Sequence, residues 1–152
     1  MQCVVQGGSD CDPKKLWLQI QFFCGVNPQC WEPGSEWALA RAKAVLAEQY
    51  LVVGQTEDLA SMYTVLELLL PTFFKGADDF LKFSGKEHIK NTRHKEGVHQ
   101  DTVIKMRKTK IWKLENDFYN FAVKHFQAIK RIALEQNKLG RSLYNLEKVW
   151  PK

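Results

Sequence analysis

Between Lys110 and Gln136 apolar side chains recur every third or fourth residue, at Ile111, Leu114, Phe118, Phe121, His125, Ile129 and Ile132. This is the repeat of one face of an α-helix. At about 1.5 Å rise per residue such a helix is roughly 40 Å long, so the rest of the chain has to be built against it. Thr109 stands at the N-cap position, and Asn137 and Gly140 stand where a helix stops. His125 lies on the apolar seam, where a histidine reads as a core or edge residue rather than a ligand.

Other helical signals precede it. Ser35 is placed to cap a helix over Glu36–Tyr50, with Trp37, Ala40, Ala44 and Ala47 at helical spacing. Thr56 is placed to cap another, with Glu57 and Asp58 in the first turn and Leu59, Met62, Val65, Leu66 and Leu69 along one face. Pro71 ends or restarts that helix, and Phe73, Phe74, Phe80 and Leu81 follow as a further amphipathic turn or two. A short helix is expected from His99 or Gln100 to Arg107. The β-branched run Leu51-Val52-Val53-Gly54 predicts a buried strand, and the partial alternation from Leu16 to Phe23 a second one. The expected fold is therefore mainly α with one or two short strands, in a single domain. Its parts are a cysteine-stapled loop region (1–31), helix-strand-helix (35–81), a basic loop (82–108), the long helix (109–137) and a tail (141–152). The longest apolar patch, Leu68 to Phe74, is broken by Pro71 and Thr72, too short to span a bilayer. Gly7-Gly8-Ser9-Asp10 interrupts any signal-peptide pattern.

Cys3, Cys11, Cys24 and Cys30 lie close together at spacings of C-x7-C and C-x5-C. Zinc knuckles favour shorter spacings, and no histidine is near. Three disulfide pairings exist on paper. Closure of small Gly-, Asp-, Asn- or Pro-containing loops favours Cys3–Cys11 with Cys24–Cys30, and four buried thiols are the alternative. Disulfides would imply an oxidising compartment, although no targeting segment is visible, and that conflict suggests a chain that begins inside something longer. Charge is equally uneven. The stretch Lys82–Lys113 carries ten Lys and Arg against three acids, while the whole chain nets only +5. Lys86, Lys90, Arg93 and Lys95, with the hydroxyls of Ser84 and Thr92, suit a phosphate or sulfate group. Nucleic acid fits less well, because residues 84–110 hold no stacking aromatic ring. From Lys105 onward the run reads as a solvated lead-in to the long helix. No phosphate loop, nucleophile elbow, H-E-x-x-H metal motif or glycosylation sequon is present, so the chain offers no catalytic constellation and no metal site.

Several stretches together resemble the C-terminal half of the heparan sulfate 2-O-sulfotransferase family. They are Gly7-Gly8-Ser9-Asp10-Cys11, Lys15-Leu16-Trp17-Leu18-Gln19-Ile20, Phe22-Phe23-Cys24-Gly25 and Cys30-Trp31. The likeness continues through Val53-Gly54-x-Thr56-Glu57 and His88-x-x-x-Thr92-x-x-Lys95. It resumes at Ile111-Trp112-Lys113-x-Glu115-Asn116-x-Phe118-Tyr119 and Glu147-Lys148-x-x-Pro151-Lys152. Trp37-Ala38-Leu39 and Ala42-Lys43 are also similar to the uronyl 2-O-sulfotransferase acting on dermatan and chondroitin sulfate, which is the alternative. A non-catalytic module binding anionic polysaccharide is another.

The resemblance implies the C-terminal portion of an α/β, P-loop-like sulfotransferase fold, with the 51–54 strand in a central sheet. It implies transfer of sulfate from 3′-phosphoadenosine-5′-phosphosulfate to the 2-hydroxyl of iduronic acid in heparan sulfate. It also implies a membrane-anchored enzyme of the Golgi lumen, a homotrimer whose C-terminal tail reaches a neighbour, and pairing of Cys3 with Cys11 and Cys24 with Cys30. No metal and no nucleic acid are implied. Thr92 and Lys95 match cofactor-contacting positions. Leu81 and Glu87 fall on two more, where the family commonly has Tyr and Ser. Lys90 replaces an Arg that faces the polysaccharide, keeping the charge but losing the planar fork. The family's phosphosulfate loop and catalytic histidine pair have no counterpart in residues 1–152. The expectation is thus that no catalytic residue lies in this chain and that it is inactive alone; Met1 reads either as a true start or as internal to a longer protein.

Overall fold

The computed structural model describes residues 18–84 and 99–140, the side chains of 81, 82 and 84 excepted. The helices are α1 (Gln19–Cys24), α2 (Glu36–Gln49), α3 (Leu59–Leu69), α4 (Pro71–Phe74), α5 (Ala77–Ser84), α6 (Gln100–Lys108) and α7 (Lys110–Lys138). Short 3-10 turns span Pro28–Trp31 and Thr56–Asp58. The chain forms two compact units.

The first unit holds residues 18–50 and 99–122. Ser35 caps α2 as expected, its Oγ accepting from the Ala38 N–H at 3.2 Å. The buried side chains of α2 are Ala38, Leu39, Ala42, Val45 and Leu46, one face at helical spacing. Small residues at 38 and 42 let α1 lie close against it. At the junction of α6 and α7, the Thr109 hydroxyl donates to the Met106 carbonyl at 2.7 Å and accepts from the Trp112 N–H at 3.2 Å. The same side chain closes one helix and opens the next.

The second unit holds residues 51–84 and 123–140. Val65 and Leu69 of α3 bury against Phe126 and Ala133 of α7, with Val52, Met62 and Ile129 packed around them. Asp58 rather than Thr56 caps α3, its carboxylate accepting from the Ser61 N–H. Thr56 instead donates to Glu57. Pro71 opens α4 at its first position, where its missing N–H costs nothing. The Asn137/Gly140 stop is borne out: α7 ends at Lys138, and the Gly140 N–H donates to the Asn137 carbonyl with φ +64°.

Two expectations fail. Residues 19–24 are a helix, not a strand. Leu51–Gly54 forms no ladder among the described residues. A run of β-branched residues is extended by local preference, but a strand exists only where another strand supplies hydrogen bonds. The long seam also differs in detail. Phe118 is buried as expected, whereas in the second unit Phe126 and Ala133 are buried and His125 and Ile132 only half so. The stripe there is decided by the contact with Val65 and Leu69.

Candidate functional site

Of the stretches that carry the family resemblance, residues 18–25, 30–31 and 111–119 meet in the first unit. Glu115 of α7 receives the N–H of Gln19 at 2.9 Å and of Ile20 at 3.3 Å, so its carboxylate caps α1. Leu18, the residue at the cap, supplies no side-chain acceptor of its own. Burial pushes the Glu115 carboxyl above its ordinary range, opposed by those two hydrogen bonds. Three residues on, Phe118 packs its ring 5.0 Å from Phe23, which lies 5.1 Å from Tyr50. Cys24, the last residue of α1, is joined to Cys30. Gly25 ends the helix at φ +112°, a backbone angle that costs an L side chain dearly. Gln21, buried beneath, donates to the Trp31 carbonyl. Motifs some ninety residues apart are therefore one packed structure.

The sequence-predicted site residues divide sharply. Cys24 and Cys30 are bonded as expected. Leu81 lies in α5, with its side chain outside the description. Cys3, Cys11, Glu87, Lys90, Thr92 and Lys95, and the tail 141–152, lie outside the described residues. Among the described residues no three His, Cys, Asp or Glu side chains gather as a metal-holding group, and no helix is long and apolar enough to cross a membrane.

Two features of this unit go beyond the sequence reading, which took the cations from Lys105 onward only as a solvated lead-in to the long helix. An open groove of about 860 Å³ is lined by Phe22, Trp37, Arg41, Gln49 and Tyr50, among others, and Arg41 is the one charged side chain on its described wall. The Phe and Trp were legible only as apolar positions, since their convergence depends on α1 crossing α2. The other is the corner between α6 and α7. Lys105, Arg107, Lys108, Lys110 and Lys113 are all exposed there. The Arg107 guanidinium lies over the Trp112 ring at 5.8 Å, and Lys110 pairs with Glu36 at 3.0 Å.

No protein-family model matches the chain. Individual relatives do. It is 43% identical to heparan sulfate 2-O-sulfotransferase 1 of Mus musculus and of Homo sapiens over 157 aligned residues, covering 99% of this chain and 44% of each relative. To the heparin sulfate O-sulfotransferase of Drosophila melanogaster it is 42% identical over 151 residues, again 99% of this chain and 43% of the relative. The chain thus spans somewhat under half the length of these relatives. Along 99% of its length the chain is thus similar to heparan sulfate 2-O-sulfotransferases, at 42% to 43% identity.

Proposed function

We propose that this chain is part of a sulfotransferase that moves sulfate from 3′-phosphoadenosine-5′-phosphosulfate to the 2-hydroxyl of a hexuronic acid, iduronic acid, in heparan sulfate. The observation that carries the reading is 43% identity over 99% of the chain to enzymes named for that reaction. The phosphosulfate supplies an electrophilic sulfuryl group and two phosphate-bearing positions. Thr92 offers a hydroxyl donor and Lys95 a cation, a donor set suited to phosphate oxygens. Lys90 would face a sulfate or carboxylate of the polysaccharide as a point charge. Leu81 brings no polar atom to a cofactor position, and Glu87 would have to turn away from a phosphate. By itself the 152-residue chain, which spans under half the length of these relatives, is expected to transfer no sulfate.

The Cys24–Cys30 bond supports an oxidising compartment, and a membrane-anchored place in the Golgi lumen is part of the proposal. A homotrimer contacted through residues 141–152 is part of the same proposal.

The test is a chimera in which residues 1–152 replace the matching segment of the mouse relative. Sulfation of 2-O-desulfated heparan, read as 2-O-sulfated disaccharide, should be retained. Thr92→Ala with Lys95→Ala should raise KM for the phosphosulfate about tenfold or more, the loss expected for one or two charge-assisted hydrogen bonds. A folded, secreted chimera without transferase activity would refute the assignment.

A further inference from the structure

The α6–α7 corner carries five cations against one acid over residues 99–113. That acid, Asp101, is engaged by His99 at 3.4 Å. Lys110 is engaged by Glu36, and Arg107 covers Trp112. Lys105, Lys108 and Lys113 make no ion pair among the described residues. Helix electrostatics account for three of the five cations. Lys105, Arg107 and Lys108 sit in the last turn of α6, where the negative end of the dipole favours cations. Lys110 and Lys113 sit in the first turn of α7, where the positive end disfavours them, and no acid occupies that turn. With Lys105, Lys108 and Lys113 exposed and making no ion pair among the described residues, and Lys113 set against its own helix dipole, the cluster is a surface suited to something anionic. The backbone of the corner is held in place: the Thr109 hydroxyl ties Met106 to Trp112 across the junction.

We propose that this corner is a second polyanion-binding surface, holding an extended sulfated polysaccharide outside the residues assigned to the reacting sugar. The proposal rests on the reading that the acceptor is of the heparan class. Lysine ammonium groups suit sulfate and carboxylate oxygens as point charges. The ring of Trp112, the aromatic side chain between these cations, has Arg107 over it, which disfavours base stacking and hence single-stranded nucleic acid.

The experiment measures binding of the full 152-residue chain to heparin oligosaccharides of defined length across a salt series. Lys105→Ala, Lys108→Ala and Lys113→Ala together should weaken binding of a dodecasaccharide about tenfold, the modest loss expected for three solvent-exposed charge contacts. The slope of log K against log salt should fall by about one per lysine removed. The matching triple Arg variant should restore both, and a disaccharide should bind all three proteins alike. Helicity measured in parallel shows that the variants remain folded. Unchanged dodecasaccharide affinity and slope in the Ala variant would overturn the proposal. So would failure of the Arg variant to restore binding, or single-stranded DNA competing equally per unit charge. An inactive chimera with corner-dependent heparin binding intact would sink the sulfotransferase reading and leave this surface standing.

Discussion

Glu115→Ala tests whether α1 is made by a residue ninety-six positions away. α1 is six residues long and lacks a cap of its own, well below the length at which a helix is stable by propensity. Its two first N–H groups are satisfied by the Glu115 carboxylate. Losing a charged cap and leaving the part-buried Ile20 donor unpaired should cost about 2 kcal/mol, within the range for cap removal and for hydrogen bonds to charged groups. Glu115→Gln keeps one carbonyl acceptor and should cost about half as much. Asn120→Ala, exposed on the same helix, should change stability by no more than about 0.5 kcal/mol. Urea unfolding gives these differences, and amide hydrogen exchange localises them: Gln19 and Ile20 should lose protection in the Ala variant before the α2 amides do. The pH dependence has a defined sign. Burial raises the folded-state pKa of Glu115, so the folded chain holds the proton more tightly than the unfolded one. Relative to Glu115→Gln, the wild type should therefore gain stability as pH falls through the folded value toward 4.5. Equal stability of Glu115→Ala, Asn120→Ala and wild type, with unchanged exchange at 19–20, would refute the cap.

Three more expectations follow from the same geometry. A Cβ added to Gly54 would stand 2.8 Å from Met62 Cγ and 3.1 Å from its Cβ, so Gly54→Ala should cost about 2 kcal/mol in thermal or urea unfolding, partly recovered by Met62→Ala. Burial lowers the pKa of His125; its contribution is present above the ordinary value of 6.5 and lost as pH falls below it. The melting temperature of the wild type should thus drop more between pH 7 and 5 than that of His125→Gln. Cys24→Ser with Cys30→Ser opens a loop of sequence separation six and should cost about 2 kcal/mol on the chain-entropy estimate, read by urea unfolding.

Much of the chain could be read without its structure, and the reason is locality. Ser35 and Thr109 cap as expected because a cap is an exchange between a hydroxyl and an N–H three residues on. Pro71 and Gly140 punctuate helices for equally local reasons. The Cys24–Cys30 bond follows from a short loop, and the family likeness is a property of residue order alone. Thr56 was misplaced by a narrow margin, because Asp58 competes for the same role two residues later and prevails.

The failures share the opposite cause. Residues 16–23 alternate well enough to suggest a strand, and they become a helix at 19–24 because Glu115 supplies a cap and Phe118 receives Phe23. Leu51–Gly54 has strand composition, but pairing needs a partner that composition cannot supply. The buried stripe on the second half of α7 is chosen by Val65 and Leu69, not by the helix's own repeat. The basic stretch shows the division most clearly. Sequence alone established that positive charge is concentrated between Lys82 and Lys113, because charge is carried by residue type. Only the tertiary structure decided that Lys105 to Lys113 share one exposed corner across two helix ends, because position in space depends on how Thr109 turns the chain.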